Sequence, residues 1–548
     1  MIAAAHSMTD YESTRNAFRL EVPEFYNFGF DVIERRAREH DKTAFIEVSG
    51  ERSRIVAHRF SDLDRAANRF ANVLRSLGAA KGDTAIVVLP RSPAWYAVMI
   101  GCIKLGVVSI PGTPLLTAKD LDYRINRARA KLVIVGDAHC GKIEEIATRT
   151  PSVTHRIVVG DERAGWIDYA STLAAASDQL DRAKVEATRA EDTMLYYFTS
   201  GTTAQPKLVP RAHSYALAHQ ITGRFWMDLR EDDIHWTLSD TGWAKAAWGL
   251  LFGPWQMGAA NVLYDGPPGF DAHTHLRLIA ELGVTTFCAP PTIYRLLAQV
   301  DLRAYDLRSL RHSFSAGEPL NPEAMRVWKD ATGHEVYDGY GQTETVNIVA
   351  NFPCLPIRPG SMGKPVPGIE VEIVDDDGRV LPAGQVGHIA VRLTDPYPPG
   401  LFRGYLDEPE ANRACFRNGF YYTGDTGSQD AEGYIWFAGR ADDMISSAGY
   451  RISPFEVESA LIEHPAVAES AVVGKKDPVR GEIVMAFVVL AAGHTPSAEL
   501  KADIQAFVKQ HTAPYKYPRE IVFCANLPKT ISGKIRRVAL RAEANAGA

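Results

Sequence analysis

"MLYYFTSGTTAQPKLVPRAHS", Met194 to Ser214, begins as an apolar run and turns abruptly polar. Met194 to Phe198 has the length and aromatic content of a buried strand. Beyond it Thr199, Ser200, Thr202 and Thr203 crowd around Gly201, and Pro206 and Lys207 follow. Two readings compete. Ser, Thr and Gly dominate ordinary polar turns for backbone reasons. The same residues, with loop amides and a lysine, also make a cradle for phosphate oxygens. The stretch alone does not choose, and the rest of the chain has to.

Working outward, short β-branched strands alternate with helix-length segments. Strands are predicted at 85–89, 132–136, 156–160, 194–198, 260–264 and 284–288. Between the first of these and the N-terminus, Leu63, Ala66, Phe70, Val73, Leu74 and Leu77 recur at helical spacing. That spacing predicts a helix over 61–77, with Ser61 and Asp64 as a capping box and Gly78 as its stop. Ser92 and Pro93 suit the start of another. Strands separated by helices imply parallel sheets covered on both faces, an α/β fold. After about residue 355 the texture changes, and 370–393 reads as two strands joined by an Asp-Gly turn. "GRADD" (439–443) then separates a last unit of about a hundred residues, in which Ser453, Pro454 and Glu456 form a capping-box helix start. Strands are predicted there at 470–474, 483–490 and 520–524.

Composition excludes several classes. The 548 residues are 46% hydrophobic and 23% charged, with a net charge of −6 from 60 basic and 66 acidic residues. No basic tract marks a nucleic-acid surface. Six single cysteines, Cys102, Cys140, Cys288, Cys354, Cys415 and Cys524, form neither a disulfide framework nor a zinc motif. They fit a reducing compartment. The first residues lack a basic segment and a long apolar core, so no signal peptide is read there, and no run of 18 apolar residues spans a membrane. The expectation is a cytoplasmic protein starting at Met1 or Met8, its oligomeric state open to a homo-oligomer.

Four further motifs follow the opening stretch in order: "DGYGQTE" (338–344), "YYTGD" (421–425), "GRADD" (439–443) and "PKTISGKIRR" (528–537). The chain resembles the adenylate-forming acyl-CoA synthetase superfamily over nearly its whole length. That resemblance answers the opening question in favour of phosphate. It implies a large N-terminal domain (1–438) of parallel sheets sandwiched by helices, with a small β-barrel-like subdomain at about 355–438. A hinge (439–443) and a small mobile α+β C-terminal lid domain (444–548) follow. It also implies two steps in one cleft. A carboxylate attacks the α-phosphate of ATP, giving acyl-adenylate and pyrophosphate; CoA thiol then displaces AMP.

Carried over by motif, Thr199, Ser200, Gly201, Thr202, Thr203 and Lys207 would hold the β- and γ-phosphates. Ala204 stands where the family usually has glycine, which narrows backbone freedom there. Glu344 would meet Mg²⁺, an ion that needs only one or two carboxylates beside phosphate oxygens and water, and Thr343 would contact the adenylate phosphate. Gly317, Glu318, Pro319, Asp338, Gly339, Tyr340, Gly341 and Gln342 would form the adenine wall, Tyr340 offering a stacking face. Asp425 would bind the ribose hydroxyls and Arg440 the ribose or phosphate. Lys534 is the expected adenylation residue, because an ammonium bridging carboxylate and phosphate oxygens stabilises the charge that develops between them. Arg451 would contact the AMP phosphate. Asp442 would be the hinge residue. Ala448, Gly449 and Tyr450 would line the pantetheine channel, and Arg480, with Lys509 and Tyr517, would meet the CoA nucleotide.

Residues 238–249 and 513–523 are similar to the medium-chain acyl-CoA synthetase branch. Gly341 sits where acetate-specific relatives carry tryptophan, so the resemblance implies an acyl pocket with room for a longer chain, lined by Trp243. The expected substrates are medium-chain, branched or cyclic acids, in fatty acid metabolism. An aryl, benzoate-type ligase is a substrate variant. An adenylating ligase that loads a carrier-protein phosphopantetheine is ranked second, because no carrier domain follows and Arg480 would lack a purpose. A non-catalytic acyl- or nucleotide-binding protein is a remote third.

Overall fold

The computed structural model describes residues 6–546 apart from 51–53, 200–204, 268, 318–321, 448–449, 514 and 531–533. The chain forms two compact units, 1–199 with 207–370 and 394–412, and 200–206 with 371–393 and 413–548. The antiparallel strands that the sequence assigns to the large domain therefore group with the C-terminal residues.

In the first unit one sheet has the strand order Ile167–Asp168, His155–Val159, Leu132–Gly136, Thr84–Val88, Val108–Pro111, Thr193–Phe198, Leu208–Ala212. Neighbours are parallel except the last pair, a hairpin. Leu132–Gly136 and Thr84–Val88 are buried at every position, as strands covered on both faces must be. The second sheet runs Ser361–Pro365, Asn347–Ala350, Val336–Gly341, His312–Ala316, Thr286–Cys288, Ile234–Thr237, Ala260–Asp265, Thr43–Ser49, Arg54–Arg59. It is parallel from Val336–Gly341 to Thr43–Ser49 and antiparallel at both ends.

Two helices of this unit are in close contact. The helix Pro93–Leu105 starts as predicted, with Ser92 accepting from Trp95 N, and stops at Gly106 with φ +72°. Gly101 lets it lie against the helix Phe60–Ser76, since a Cβ there would sit 2.9 Å from the Ala67 carbonyl. The capping box of Phe60–Ser76 is not the predicted one. Asp62 accepts from Arg59 N at 2.8 Å, and the Ser61 hydroxyl is drawn instead to Asp41, 3.0 Å away.

The second unit has two sheets. Val371–Val374, Val386–Arg392, Phe420–Gln429 and Ile435–Arg440 are antiparallel. Tyr450–Ile452, Ile445–Ser447, Gly481–Leu490 and Val467–Asp477 form the other, with Glu520–Phe523 added parallel to Gly481–Leu490. The helix Pro454–Ile462 begins with Ser453 accepting from Glu456 N, as its sequence implies. The helices Ala498–His511 and Arg537–Ala544 complete the unit, Leu540 and Ala544 of the latter packing on Val473, Met485 and Phe487.

Candidate active site

Parallel strands all end on one edge, and ligand sites of such sheets form in the loops beyond their carboxyl ends. Three loops named by the sequence leave strands in this way: the one after Thr193–Phe198, Gly317 after His312–Ala316, and 342–344 after Val336–Gly341.

Residues 200–204 of the first loop lie outside the described residues, but its neck is defined. Thr199 N donates to the Lys207 carbonyl at 2.9 Å, and Lys207 N donates to Thr199 Oγ1 at 3.0 Å. The Lys207 ammonium stands 5.0 Å from the ring centre of Tyr405, whose hydroxyl donates to Glu344 Oε1 at 2.8 Å. The cation of the hydroxyl-rich loop and the carboxylate of "GQTE" are thus joined through one tyrosine. Glu344 is buried. Its carbonyl accepts from Phe402 N at 2.8 Å and from Arg211 Nη1 at 2.6 Å. Arg211 is itself buried over the ring of Tyr215, 3.8 Å away. Gln342 N donates to Thr345 Oγ1 at 2.9 Å, which sets the turn holding half-buried Thr343. Tyr405 lies in none of the quoted motifs, and Arg211, inside the opening stretch, has no role implied by the sequence; both lie far along the chain from Glu344, and only folding makes them its neighbours.

Asp338 and Gly339 pair in register with Ser315 and Ala316, which brings "DGYG" beside Gly317. Gly317 has φ +110°, a conformation suited to glycine; Glu318 and Pro319 lie outside the described residues. Lys245, unassigned from sequence, donates from Nζ to the Ala316 carbonyl at 2.8 Å. Burial pushes the Asp338 carboxyl up to about 8, against the opposing pull of the Gly339 amide and Lys245. Tyr340 is half-buried, and Gly341 is exposed.

Two of these glycines are also constrained by their own neighbours. A Cβ at Gly339 would come 2.4 Å from Trp226 Cε2, so this glycine also makes room for a buried indole. Gly341 is constrained by backbone: a Cβ would lie 2.4 Å from the Val346 carbonyl and 3.1 Å from Asn347 Cα. Open pocket volume is therefore not the whole reason for a glycine there. Trp243 is half-buried, and its carbonyl accepts from Ala246 N at 2.9 Å.

A testable consequence follows for Asp338. Between pH 3.8, the ordinary value, and about 8, the folded chain keeps a proton that the unfolded chain has released. Its contribution to stability is complete below that window and declines as pH rises through it. Asp338→Asn should flatten this share. The wild-type melting temperature minus that of the variant should fall steadily from pH 5 to 8.5; parallel profiles would contradict the assignment.

In the second unit, Asp425 and Arg440 are opposite each other on adjacent strands, Arg440 Nη1 donating to Asp425 Oδ1 at 3.1 Å. Asp425 is buried and Arg440 half-exposed. Asp442 lies in the short turn Ala441–Asp443. Ala448 and Gly449 lie outside the described residues; Tyr450 is exposed and stacked on Tyr515 with centres 4.3 Å apart. Arg451 is placed only as backbone, opposite Ser446. Arg480 N donates to Asp477 Oδ1 at 2.8 Å in the turn before Gly481–Leu490. Lys509 stands 5.6 Å from the centre of the Tyr517 ring. Lys534 is exposed, and its carbonyl accepts from Thr530 N at 2.7 Å; residues 531–533 lie outside the described residues.

Comparison with known proteins adds to this geometry. The profile "AMP-binding enzyme" matches residues 33–406, and "AMP-binding enzyme C-terminal domain" matches 456–534. The chain is 44% identical to the acyl-coenzyme A synthetase ACSM3, mitochondrial, of Rattus norvegicus, covering 98% of this chain and 94% of the relative. It is 45% identical to ACSM5, mitochondrial, of Mus musculus, covering 95% and 91%. Among solved structures it is similar to the anthranilate CoA ligase AuaEII in complex with anthranoyl-AMP, with TM-score 0.86, 34% identity, and 96% and 98% of the two chains covered. A benzoate CoA ligase from Burkholderia xenovorans LB400 gives TM-score 0.82 at 29% identity, covering 94% and 100%. The names of the ACSM relatives place them in mitochondria, which overturns the expectation of a cytoplasmic protein drawn from cysteine usage and the N-terminal residues. Mitochondrial enzymes can also keep single thiols, so that signal did not discriminate. Among the described residues no helix is long and apolar enough to cross a membrane.

Proposed function

The chain belongs to the AMP-binding enzyme family and is an AMP-forming acid–CoA ligase; from that premise we propose the residues that run the reaction and the acids it takes. The observation that carries the reading is the chain Lys207–Tyr405–Glu344 in loops beyond strand carboxyl ends, with Asp338 paired beside the strand that leads into Gly317. A cation and a buried carboxylate joined through one tyrosine suit a nucleotide triphosphate better than an acid alone.

In the first step a carboxylate oxygen bonds to the α-phosphorus of ATP, and the bond to the pyrophosphate oxygen breaks. Lys207 and the loop hydroxyls and amides of 199–203 would hold the leaving pyrophosphate. Asp338 and Tyr340 would flank adenine, with Gly317, Glu318 and Pro319 opposite. Asp425 would accept from both ribose hydroxyls, held for that task by Arg440. Lys534 would bridge the attacking and phosphate oxygens, and Thr343 would donate to the phosphate. In the second step the CoA thiolate bonds to the acyl carbon and AMP leaves; Arg451 would hold its phosphate. Ala448, Gly449 and Tyr450 would border the pantetheine, and Arg480, Lys509 and Tyr517 the CoA nucleotide. Glu344 fits an Mg²⁺ carried in by ATP: it is one buried carboxylate, and no cluster of three acidic, His or Cys ligands occurs among the described residues. Bound there, the ion would neutralise phosphate charge. A hinge at 439–443, centred on Asp442, would turn residues 444–548 between the two steps.

Similarity to the ACSM enzymes supports medium-chain, branched or cyclic acids. The anthranilate and benzoate ligases among its structural relatives support an aromatic acid as the second reading. Incubation with ATP, CoA and a panel of C2 to C12 and aromatic acids, read by AMP release, decides between them. Turnover rising with chain length to a plateau supports the first. A preference for benzoate-type acids supports the second, and turnover only with a phosphopantetheinylated carrier protein in place of CoA would overturn both.

A further inference from the structure

We propose that Tyr405 is a positioning residue for Glu344, its hydroxyl setting which carboxylate oxygen meets the ion carried in by ATP. This rests on the reading of Glu344 as the carboxylate for that ion. Tyr405 Oη donates to Glu344 Oε1 at 2.8 Å, and among the described residues no other hydrogen bond reaches this buried carboxylate. A phenol is a neutral donor, so it engages one oxygen and leaves the negative charge in place. A lysine or arginine in that position would pair the carboxylate and compete with a cation. With Oε1 engaged, Oε2 is assigned to the ion.

The hydroxyl is placed by the segment 402–406, whose ends are tied to both sides of the site. Phe402 N donates to the Glu344 carbonyl at 2.8 Å, and Leu406 N donates to the carbonyl of Leu208, the residue after Lys207, at 3.0 Å. Between these ties Asn412 clasps the backbone of Tyr405. Its Oδ1 accepts from Tyr405 N at 2.7 Å, and its Nδ2 donates to the Tyr405 carbonyl at 2.9 Å. The Tyr405 ring stands edge-on to Phe402, with centres 4.9 Å apart, and the Lys207 ammonium lies 5.0 Å from its centre. Four backbone bonds thus fix one half-buried side chain. A carboxylate oriented in advance need not be ordered when the ion arrives, which favours binding. Ring and hydroxyl have separable parts: the ring faces the cation that would hold phosphate, and the hydroxyl faces the carboxylate. Loss of the hydroxyl should therefore weaken ATP binding only where the metal takes part.

The test is ATP binding to the full-length enzyme without acid or CoA, by titration calorimetry, once with Mg²⁺ and once in EDTA. The ratio of the two Kd values is the gain due to the metal. Glu344→Gln should abolish that gain. Tyr405→Phe, which keeps the ring, should cut it by up to about tenfold, the scale of a lost hydrogen bond to a metal-binding carboxylate, with Kd in EDTA unchanged. The double variant Glu344→Gln/Tyr405→Phe should match Glu344→Gln alone, because the hydroxyl then has no carboxylate to orient. A Tyr405→Phe enzyme with the wild-type gain, or with Kd raised equally in both buffers, would overturn the proposal. If Tyr405→Phe melts early, Asn412→Ala decides, since it releases the Tyr405 backbone and leaves the hydroxyl in place. A reduced gain in that variant supports the proposal, and an undiminished one overturns it. If Glu344→Gln keeps the gain, the metal reading of Glu344 and this inference fall together. If Glu344→Gln loses it and Tyr405→Phe does not, only this inference falls.

Discussion

Lys534→Ala should abolish acyl-adenylate formation and leave the second step working. The side chain is exposed, so its removal disturbs no packing, and a folding defect is not expected. In the proposed role, what is lost is an ammonium that would stand where carboxylate and phosphate oxygens converge. Both carry negative charge, and the charge is most concentrated in the transition state, so the loss falls on the rate rather than on substrate binding. Removing one such contact costs about two to three orders of magnitude in kcat. Pre-made acyl-adenylate plus CoA should still yield thioester and AMP at near the wild-type rate, since no phosphorus–oxygen bond is made in that step. A variant equally inactive with the pre-made intermediate would show that Lys534 has a different role.

The second large effect is expected at Gly341. From sequence, Gly341→Trp is a chain-length switch that fills the acyl pocket and keeps only acids of about three carbons or fewer. The structure changes the expectation, because the first side-chain atom already meets the Val346 carbonyl at 2.4 Å. That carbonyl belongs to the turn following Glu344, and it cannot retreat without moving Thr345 and Asn347. Gly341→Ala should therefore lower kcat/KM for every acid by roughly ten- to a hundredfold, an overpacking cost of about 1–3 kcal/mol. Gly341→Trp should do at least as much to acetate as to octanoate. In the wild type each buried methylene contributes about 0.8 kcal/mol, so kcat/KM should climb threefold to fourfold per carbon until the pocket is full. The measurement is kcat/KM against chain length for the three proteins. An alanine variant as active as wild type would remove the backbone argument. A tryptophan variant with normal turnover of short acids would restore the pocket floor as the reason for the glycine.

These two residues differ in how much of their proposed role is legible in sequence. Lys534 is singled out because five ordered motifs frame it, and the role proposed for it depends on residue type more than on neighbours. Gly341 is recognisable as special, but its reason is not, since a missing side chain looks the same whether a ligand or a backbone fills the gap. Gly339 repeats the lesson, its space being taken by Trp226. The capping box of Phe60–Ser76 differs by two residues because Asp41, far from it in sequence, claims Ser61. A local rule cannot see a distant competitor.

The sequence by itself determined the α/β class, the position of the strand Thr193–Phe198 that carries the first loop, and the family. All three follow from short-range information: strand and helix periods, turn chemistry and motif spacing act within a few residues. Tertiary structure alone decided which groups surround Glu344 and which hold the turn Ala441–Asp443. Tyr405 reaches Glu344 across 61 residues, Arg211 reaches its carbonyl across 133, and Arg541 reaches Asp443 across 98. Tyrosine and arginine at such separations carry no spacing signal. Their placement is set by how strands and helices pack, since a buried carboxylate or carbonyl must find a donor wherever the fold supplies one.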